Sequence, residues 1–257
     1  MTIDEFSDKF DVLLNSYNTP AFYGDENSIY DIVVDEYEKS LHLTHAINQF
    51  VVDYYGGTNP LNLSFEEKER MRESLDVLIR TKEYTSQDAN SSSEEDIKRV
   101  YVPDNIYQVA FNKPEKLLFI IFEDFKFSNY LCGTNPRKAV VIPASHDDLW
   151  YRLQNPFRGP SNNRILRVNA SNLIELFSNH PIEGSYILRY IKKPEPIILT
   201  DLPNGLTIDG QNKKSIECEL PEFTHDAILE IAVRLAIQAK AIGKRAKEEN
   251  QSTTTKK

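Results

Sequence analysis

The stretch of sequence that decides the fold is IECELPEFTHDAILEIAVRLAIQAKAI, residues 216–242. It joins an extended, strand-like piece to a helix that is predicted to begin near Thr224, a plausible N-cap, with Asp226 in its first turn. The polar side chains of this helix form only a thin line, spaced four residues apart: Glu230, Arg234 and Gln238. Because nearly every other position up to residue 242 is apolar, we predict that the helix is buried on several sides.

Two packing faces are predicted on this helix. One face consists of Ile228, Ile231, Leu235 and Ile242. The other consists of Leu229, Val233 and Ile237. The second face is expected to contact either the β-rich part of the chain or a neighbouring subunit, so all seven residues are candidates for an interface.

The chain before this helix begins with segments of helical pattern. Thr2 and Glu5 have the spacing of a capping box at the start of a first helix. A second helix is predicted from about Asp31 to Tyr55, where two glycines end it. A third is predicted from Ser64 to about Lys82, with acidic residues near its start and basic residues near its end.

The middle of the chain has a different pattern. Residues 85–99 are polar and serine-rich, which predicts an exposed loop. After them come β-branched and aromatic runs separated by Pro, Gly and Asn, which predict strands at 117–127, 138–145, 164–170, 184–191 and 195–202. One helical piece is predicted between strands, at residues 169–179.

These patterns predict an α+β protein with an N-terminal helical bundle, a β-rich middle part and a C-terminal helix. The predicted division is a helical region 1–84, a polar loop 85–99, a β-rich region 100–215, a C-terminal helix 216–243 packed on the rest, and a flexible tail 244–257.

Charge is unevenly distributed along the chain, whose formal net charge is −9. Residues 1–99 have a net charge of −12 and residues 100–257 a net charge of +3. A protein that binds nucleic acid with its whole surface needs a concentrated basic face, so this distribution argues against that class. The sequence shows neither a secretory signal nor an apolar run of membrane-spanning length, so we expect synthesis in a cytoplasm and no membrane contact.

Four groups of residues could carry chemistry, and each has a plainer interpretation. Glu38, His42 and His45 share a helical face, but without HExxH spacing or a further ligand they indicate an exposed or interfacial pair rather than a metal site. Cys132 and Cys218 lie far apart, which predicts two small buried side chains rather than a disulfide or a zinc site.

Residues 145–150, SHDDLW, place serine, histidine and aspartate together, but a catalytic triad is assembled in space rather than from adjacent residues. Asp147 or Asp148 capping a short helix is the preferred interpretation.

The loop NPFRGPSNNRILRVN, residues 155–169, carries Arg158, Arg164 and Arg167. A phosphate contact is conceivable, although the glycine pattern of a Walker A loop is missing, and turns with inter-chain salt bridges are the favoured use. Arg158 and Arg164 are therefore further interface candidates. We predict no catalytic, cofactor-binding or metal-binding residues.

Several blocks of the sequence resemble virion structural proteins of tailed phages. The blocks are MTIDEFSDKFDVLLNSY, DEYEKSLHLTHAINQFVVDYY, NPFRGP, SYILRYIKKPEPIIL and IECELPEFTHDAILEIAVRLA. They are similar to the ring, or head–tail connector (adaptor), proteins of crAss-like phages, and the resemblance runs from residue 1 to about residue 242. The family has no catalytic residues to transfer.

The resemblance implies a virion protein at the head–tail junction, made in the cytoplasm of the bacterial host. Such adaptors dock beneath the portal protein as a ring, usually a dodecamer, and extend the DNA channel towards the tail. The implied partners are copies of the same chain, the portal, other neck or tail proteins, and passing genomic DNA bound without sequence specificity. A rival hypothesis is a monomeric phage-encoded enzyme or host-modulating protein that binds an anionic ligand through the Arg158–Arg167 loop.

Overall fold

A computed structural model of the chain describes residues 1–17, 34–56, 75–88, 103, 105–128, 138–203, 205–208, 210 and 214–254, with side chains as far as residue 240. The chain forms two compact units. The first unit combines Met1–Val77 with Pro194–Lys257, and the second consists of Leu78–Lys193. None of the described helices is both long enough and apolar enough to cross a membrane.

The first unit contains helices α1 (Ile3–Tyr17) and α2 (Glu36–Tyr55). The capping box that the sequence predicts is confirmed. The backbone N–H of Thr2 donates to the Glu5 carboxylate (2.9 Å), and the N–H of Glu5 donates to the Thr2 hydroxyl (3.3 Å). Helix α2 is capped by Asp35, whose carboxylate accepts the N–H of Glu38 at 2.7 Å. The first residues of the predicted second helix, 31–33, lie outside the described part of the chain.

The long C-terminal helix lies in the same unit and packs against both α1 and α2. This helix, α4 (His225–Thr254), follows a short 3-10 turn, Glu222–Thr224, and the helix before it in the chain, α3 (His146–Gln154), lies in the second unit. The predicted start near Thr224 is confirmed, but the helix continues past residue 243, where we predicted a flexible tail. Its exposed line is also confirmed, since Glu230, Arg234 and Gln238 are all exposed.

The predicted strand at 195–202 is wrong. Only Ile198 pairs there, in an isolated bridge with Ile216. The backbone of this segment is instead bonded by side chains of α2: the hydroxyl of Ser40 accepts the N–H of Leu199 (3.0 Å), and the hydroxyl of Thr44 bonds the N–H of Ile197 (3.2 Å). The apolar run is therefore buried against a helix rather than in a sheet.

The second unit is a seven-stranded sheet with one helix. Its elements are β1 (Ile79–Thr85), β2 (Tyr107–Asn112), β3 (Leu117–Phe127), β4 (Lys138–Pro143), α3 (His146–Gln154), β5 (Arg164–Ala170), β6 (Leu173–Ser178) and β7 (Gly184–Lys192). The strand order is β1-β7-β3-β4-β5-β6-β2. Neighbouring strands are antiparallel except β4 and β5, which are parallel and are joined through α3.

The sheet curls until its two edge strands come together. The Tyr84 ring of β1 lies 5.2 Å from the Phe111 ring of β2, and the Tyr84 hydroxyl donates to the Asn112 carbonyl at 2.6 Å. The concave side encloses an apolar core that includes Phe125, Tyr186 and Leu188. On the convex side α3 covers a smaller core through two leucines, Leu149 and Leu153. Curling therefore lets a single sheet bury one face without a second layer over all of it.

The mixed α+β class is confirmed, and so are the strands predicted at 117–127, 138–145, 164–170 and 184–191. Besides residues 195–202, two more segments were assigned the wrong structure. Residues 79–85 are strand β1, not the end of a third helix, whose earlier residues 64–74 lie outside the described part. Residues 173–178 are strand β6, not a helix, because they pair with β5 on one side and with β2 on the other. The predicted domain boundaries stay predictions.

Candidate assembly surfaces

The Ser-His-Asp stretch at 145–150 forms the N-cap and the first turns of α3. The cap is Ser145, whose hydroxyl accepts the N–H of Asp148 at 3.2 Å, so the prediction that an aspartate caps this helix is wrong. Asp148 instead lies in the first turn and pairs with Arg152 at 3.5 Å. The His146 ring bonds the Asn169 carbonyl at 2.9 Å. These contacts give the polar side chains structural roles.

The three arginines of the 155–169 loop point to three different environments. Arg158 is exposed. Arg164 donates to the carbonyls of Gly159 (2.8 Å) and Phe157 (2.7 Å), so it holds its own loop in shape. Arg167 is buried inside the curled sheet, 2.8 Å from the Glu123 carboxylate. They do not converge on one anion site, which removes the geometric basis of the rival, ligand-binding hypothesis.

Arg167 belongs to a buried polar network that joins β3, β5 and β7. The Tyr186 hydroxyl donates to the same Glu123 carboxylate, and Arg167 donates to the Asn169 side chain at 2.6 Å. Burial raises the pKa of Glu123 even though Tyr186 and Arg167 bond its charged form. Burial, with the neighbouring Glu123 charge, also raises the pKa of Tyr186. The network ties three strands together across the interior of the sheet.

The histidine pair of α2 lines a groove rather than a cluster of metal ligands. Glu38 pairs with Lys240 of α4 at 2.9 Å, and no group of three metal-ligating side chains occurs among the described residues. Burial lowers the pKa of His42. The groove lies between α2 and α4, has a volume of about 510 Å³ and is lined by His42, His45, Asn48, Gln49, Val52, Leu235 and Ala239. Both histidines could be selected from the sequence, but the groove could not.

The predicted interface residues of α4 fall into two sets. Ile228, Leu229, Ile231 and Val233 are buried within the single chain, where the helix packs on α1 and α2. Leu235 and Ile237 are half-buried, and the side chain of Ile242 lies outside the described part. Among the predicted interface residues of α4 whose side chains are described, Leu235 and Ile237 are therefore the ones that are partly exposed and could contact another chain. Their role in an interface stays a prediction.

The loop after α3 presents large aromatic side chains to solvent. Phe157 is 85% exposed, and Tyr151 on α3 is 73% exposed. Beside them lies a cleft of about 540 Å³ whose lining is rich in asparagine. The Oδ1 atom of Asn179 in this cleft is buried without a hydrogen-bond partner. The arginines of this loop could be selected from the sequence, whereas Phe157 could not, because no local pattern reveals its exposure.

Cys218 is half-buried in the first unit, and burial raises the pKa of its thiol to about 11. At neutral pH the thiol is therefore protonated and a poor nucleophile. Cys132 lies outside the described residues.

The comparison with known proteins decides the family. The family described as phage tail ring protein 3/4 matches residues 1–248. The chain belongs to this family. This ring protein is 41% identical over 244 residues to Ring protein 3 of Bacteroides phage crAss001, covering 93% of this chain and 96% of that relative. It is also 29% identical over 246 residues to Ring protein 4/5 of the same phage, with 92% of each chain covered.

The resemblance to ring proteins of crAss-like phages is thereby confirmed, and the protein is a structural ring protein of a phage virion.

Proposed function

We propose that the protein forms a ring in the head–tail connector, docks on the portal and extends the DNA channel towards the tail. The observation that carries this proposal is the family match, which spans residues 1–248 of a 257-residue chain. Three of the polar groups that could have formed a reactive site have structural roles in the described part of the chain, since Ser145 caps α3, Arg164 bonds its own loop and Arg167 pairs with Glu123 inside the sheet. These contacts favour a structural role for the second unit.

Charge supports the channel part of the proposal. The first unit contains 14 Lys and Arg against 26 Asp and Glu, a net charge of −12. The second contains 16 against 13, a net charge of +3. A ring whose acidic unit faced the channel would repel phosphates, so DNA would pass without sticking. Tight DNA binding by the protein at moderate salt would contradict this part of the proposal.

The proposed partners are other copies of this chain, the portal protein and further neck or tail proteins. A closed ring needs heterologous contacts, in which one surface of a subunit meets a different surface of the next. Two units of opposite net charge provide surfaces of different character for such contacts. We propose twelve copies, and a location at the head–tail junction of the virion.

The test is quantitative mass spectrometry of purified virions together with a cryo-electron map of the neck. The expected result is a fixed copy number of this chain, equal to that of the portal, and a ring directly beneath the portal. A chain absent from particles would contradict the virion role. A ring found elsewhere in the tail would support ring formation but contradict docking on the portal.

A further inference from the structure

The Phe157 side chain is exposed, at 85%, although hydrogen bonds hold the backbone of its loop. The Asn155 carboxamide accepts the N–H groups of Phe157 (2.9 Å) and Arg158 (3.3 Å). Arg164 bonds the Phe157 carbonyl, and the N–H of Gly159 bonds the Asn155 carbonyl at 2.7 Å. The loop is thus braced from several directions while its phenyl ring stays in solvent. Because the backbone of the loop is already ordered, only the rotation of the phenyl side chain has to be fixed on binding, which favours Phe157 as an interface anchor.

Gly159 keeps this loop tight. A Cβ atom at residue 159 would lie 2.8 Å from the carbonyl oxygens of both Arg152 and Asn155, closer than real Cβ contacts come. Because only glycine permits this close backbone approach, the loop has a specific conformation. Phe157 is therefore exposed by an ordered loop and not by a flexible one.

The groove between α2 and α4 is suited to bind a phenyl side chain. Its apolar surface comes from Val52, which is 44% exposed, with Leu235 and Ala239. Its remaining lining consists of imidazole and amide groups, so filling it with a phenyl ring desolvates no permanently charged side chain. The volume of about 510 Å³ accommodates one aromatic side chain with its neighbouring backbone.

We propose that Phe157 of one copy inserts into the α2–α4 groove of a neighbouring copy and so forms the ring contact. The inference rests on the proposed ring assembly and deepens it by naming the two surfaces. The contact is heterologous, as a ring requires, since the anchor and the groove are different parts of the chain. Charge favours it as well: exposed Arg158 beside the anchor belongs to the +3 unit, and the groove belongs to the −12 unit.

A cross-linking experiment in assembled virions tests this pairing. The phage chain carries Arg158→Cys beside the anchor and Ala239→Cys at the groove, which keep Phe157 and Leu235, with Cys132 and Cys218 replaced by serine, and particles are oxidised mildly and run on a non-reducing gel. Each chain then has one reactive residue on each surface, so a heterologous contact should give a ladder of multimers that continues beyond the dimer. Either single-cysteine variant should stay monomeric.

A second arm uses two phenylalanines of the second unit. Phe157→Ser should weaken association of the chain into rings by about 30-fold, the loss typical of an aromatic hot spot. The matched control is Phe122→Ser, because Phe122 is also exposed, at 53%, but lies on strand β3. The control should associate like the wild type. Circular dichroism of both variants verifies that each is folded.

Particles that contain the double-cysteine chain at wild-type copy number but give no multimers would overturn the pairing and leave the proposed function intact. An internal link within one chain would overturn it too. Equal association of the Phe157 and Phe122 variants would have the same consequence. If the wild-type chain were absent from particles, the proposed function itself would fail and the inference with it.

Discussion

Replacing Arg167 by methionine should destabilise the curled sheet strongly. Arg167 and Glu123 form an ion pair at 2.8 Å with side chains that are only 9% and 6% exposed. The substitution keeps the apolar stem of the side chain but leaves the Glu123 carboxylate buried without its cation. Breaking a buried pair on one side costs about 3–5 kcal/mol. That is a large part of the roughly 5–15 kcal/mol that stabilises a typical domain.

The matched control is the double variant Arg167→Met with Glu123→Gln. Glutamine removes the charge but keeps a carbonyl oxygen that can accept the Tyr186 hydroxyl, which now donates to Glu123. We therefore expect the double variant to recover most of the lost stability. Urea unfolding followed by circular dichroism measures both variants, and the transition of the second unit is the one to compare.

The pH dependence separates an unpaired charge from a simple packing defect. Burial already raises the pKa of Glu123 above its ordinary value of 4.5, and loss of the arginine should raise it further. Where the folded pKa exceeds the unfolded pKa, the folded state binds more protons, so stability increases as pH falls through that interval. The deficit of Arg167→Met should therefore shrink as the pH falls from neutral towards the ordinary carboxyl pKa of 4.5. A deficit below about 1 kcal/mol, or one that does not change with pH, would refute this reasoning.

Three further perturbations have defined outcomes. Gly184→Ala should prevent or severely weaken folding of the second unit, since residue 184 has a φ of +150° and an added Cβ would lie 1.9 Å from the Lys126 carbonyl oxygen; an unchanged melting temperature would contradict this. Asp35→Ala should cost about 1 kcal/mol in urea unfolding through loss of the α2 cap, with Asp35→Asn as the variant that keeps it. Burial lowers the pKa of His225 below 6.5, so the unfolded state takes up the proton first and stability should fall as pH drops below about 6.5. His225→Gln, which can still donate to the Leu220 carbonyl, should flatten that dependence in a thermal-unfolding series.

Sequence patterns predicted the elements whose signal lies within one short segment. The continuous apolar run of strand 117–127, the capping box of α1 and the polar line on α4 are examples. In β7, Tyr186, Leu188 and Tyr190 alternate, and all three are buried, as the pattern indicates. Each of these signals comes from residues a few positions apart, so a single segment contains the information needed.

The wrong assignments arose where distant partners decide the structure. Strand β6 has buried residues on both of its faces, including Ile174 on the concave side and Phe177 beneath α3, so its sequence lacks alternation and resembles a helix. Strand β1 was missed for a different reason. Tyr84 is its only buried residue, so its sequence lacks the alternation of apolar and polar residues that indicates a strand.

The candidate assembly surfaces were only partly predictable. Leu235 and Arg158 were selected from the sequence, yet the groove needs residues of α2 and α4 that are far apart in the chain. The burial of Arg167 could not be inferred either, because its partner Glu123 lies on another strand whose position depends on the whole sheet topology.

The discontinuous first unit has a consequence for biosynthesis. A ribosome produces the second unit, Leu78–Lys193, as one uninterrupted segment, so its sheet can form while the chain is still being made. Helices α1 and α2 emerge earlier but must wait for α4, whose Ile228 and Leu229 complete their packing. Until translation passes these residues, the apolar faces of the first two helices have no native cover. The time during which nascent chains can associate through these exposed faces therefore depends on how fast the ribosome translates the segment that contains α4.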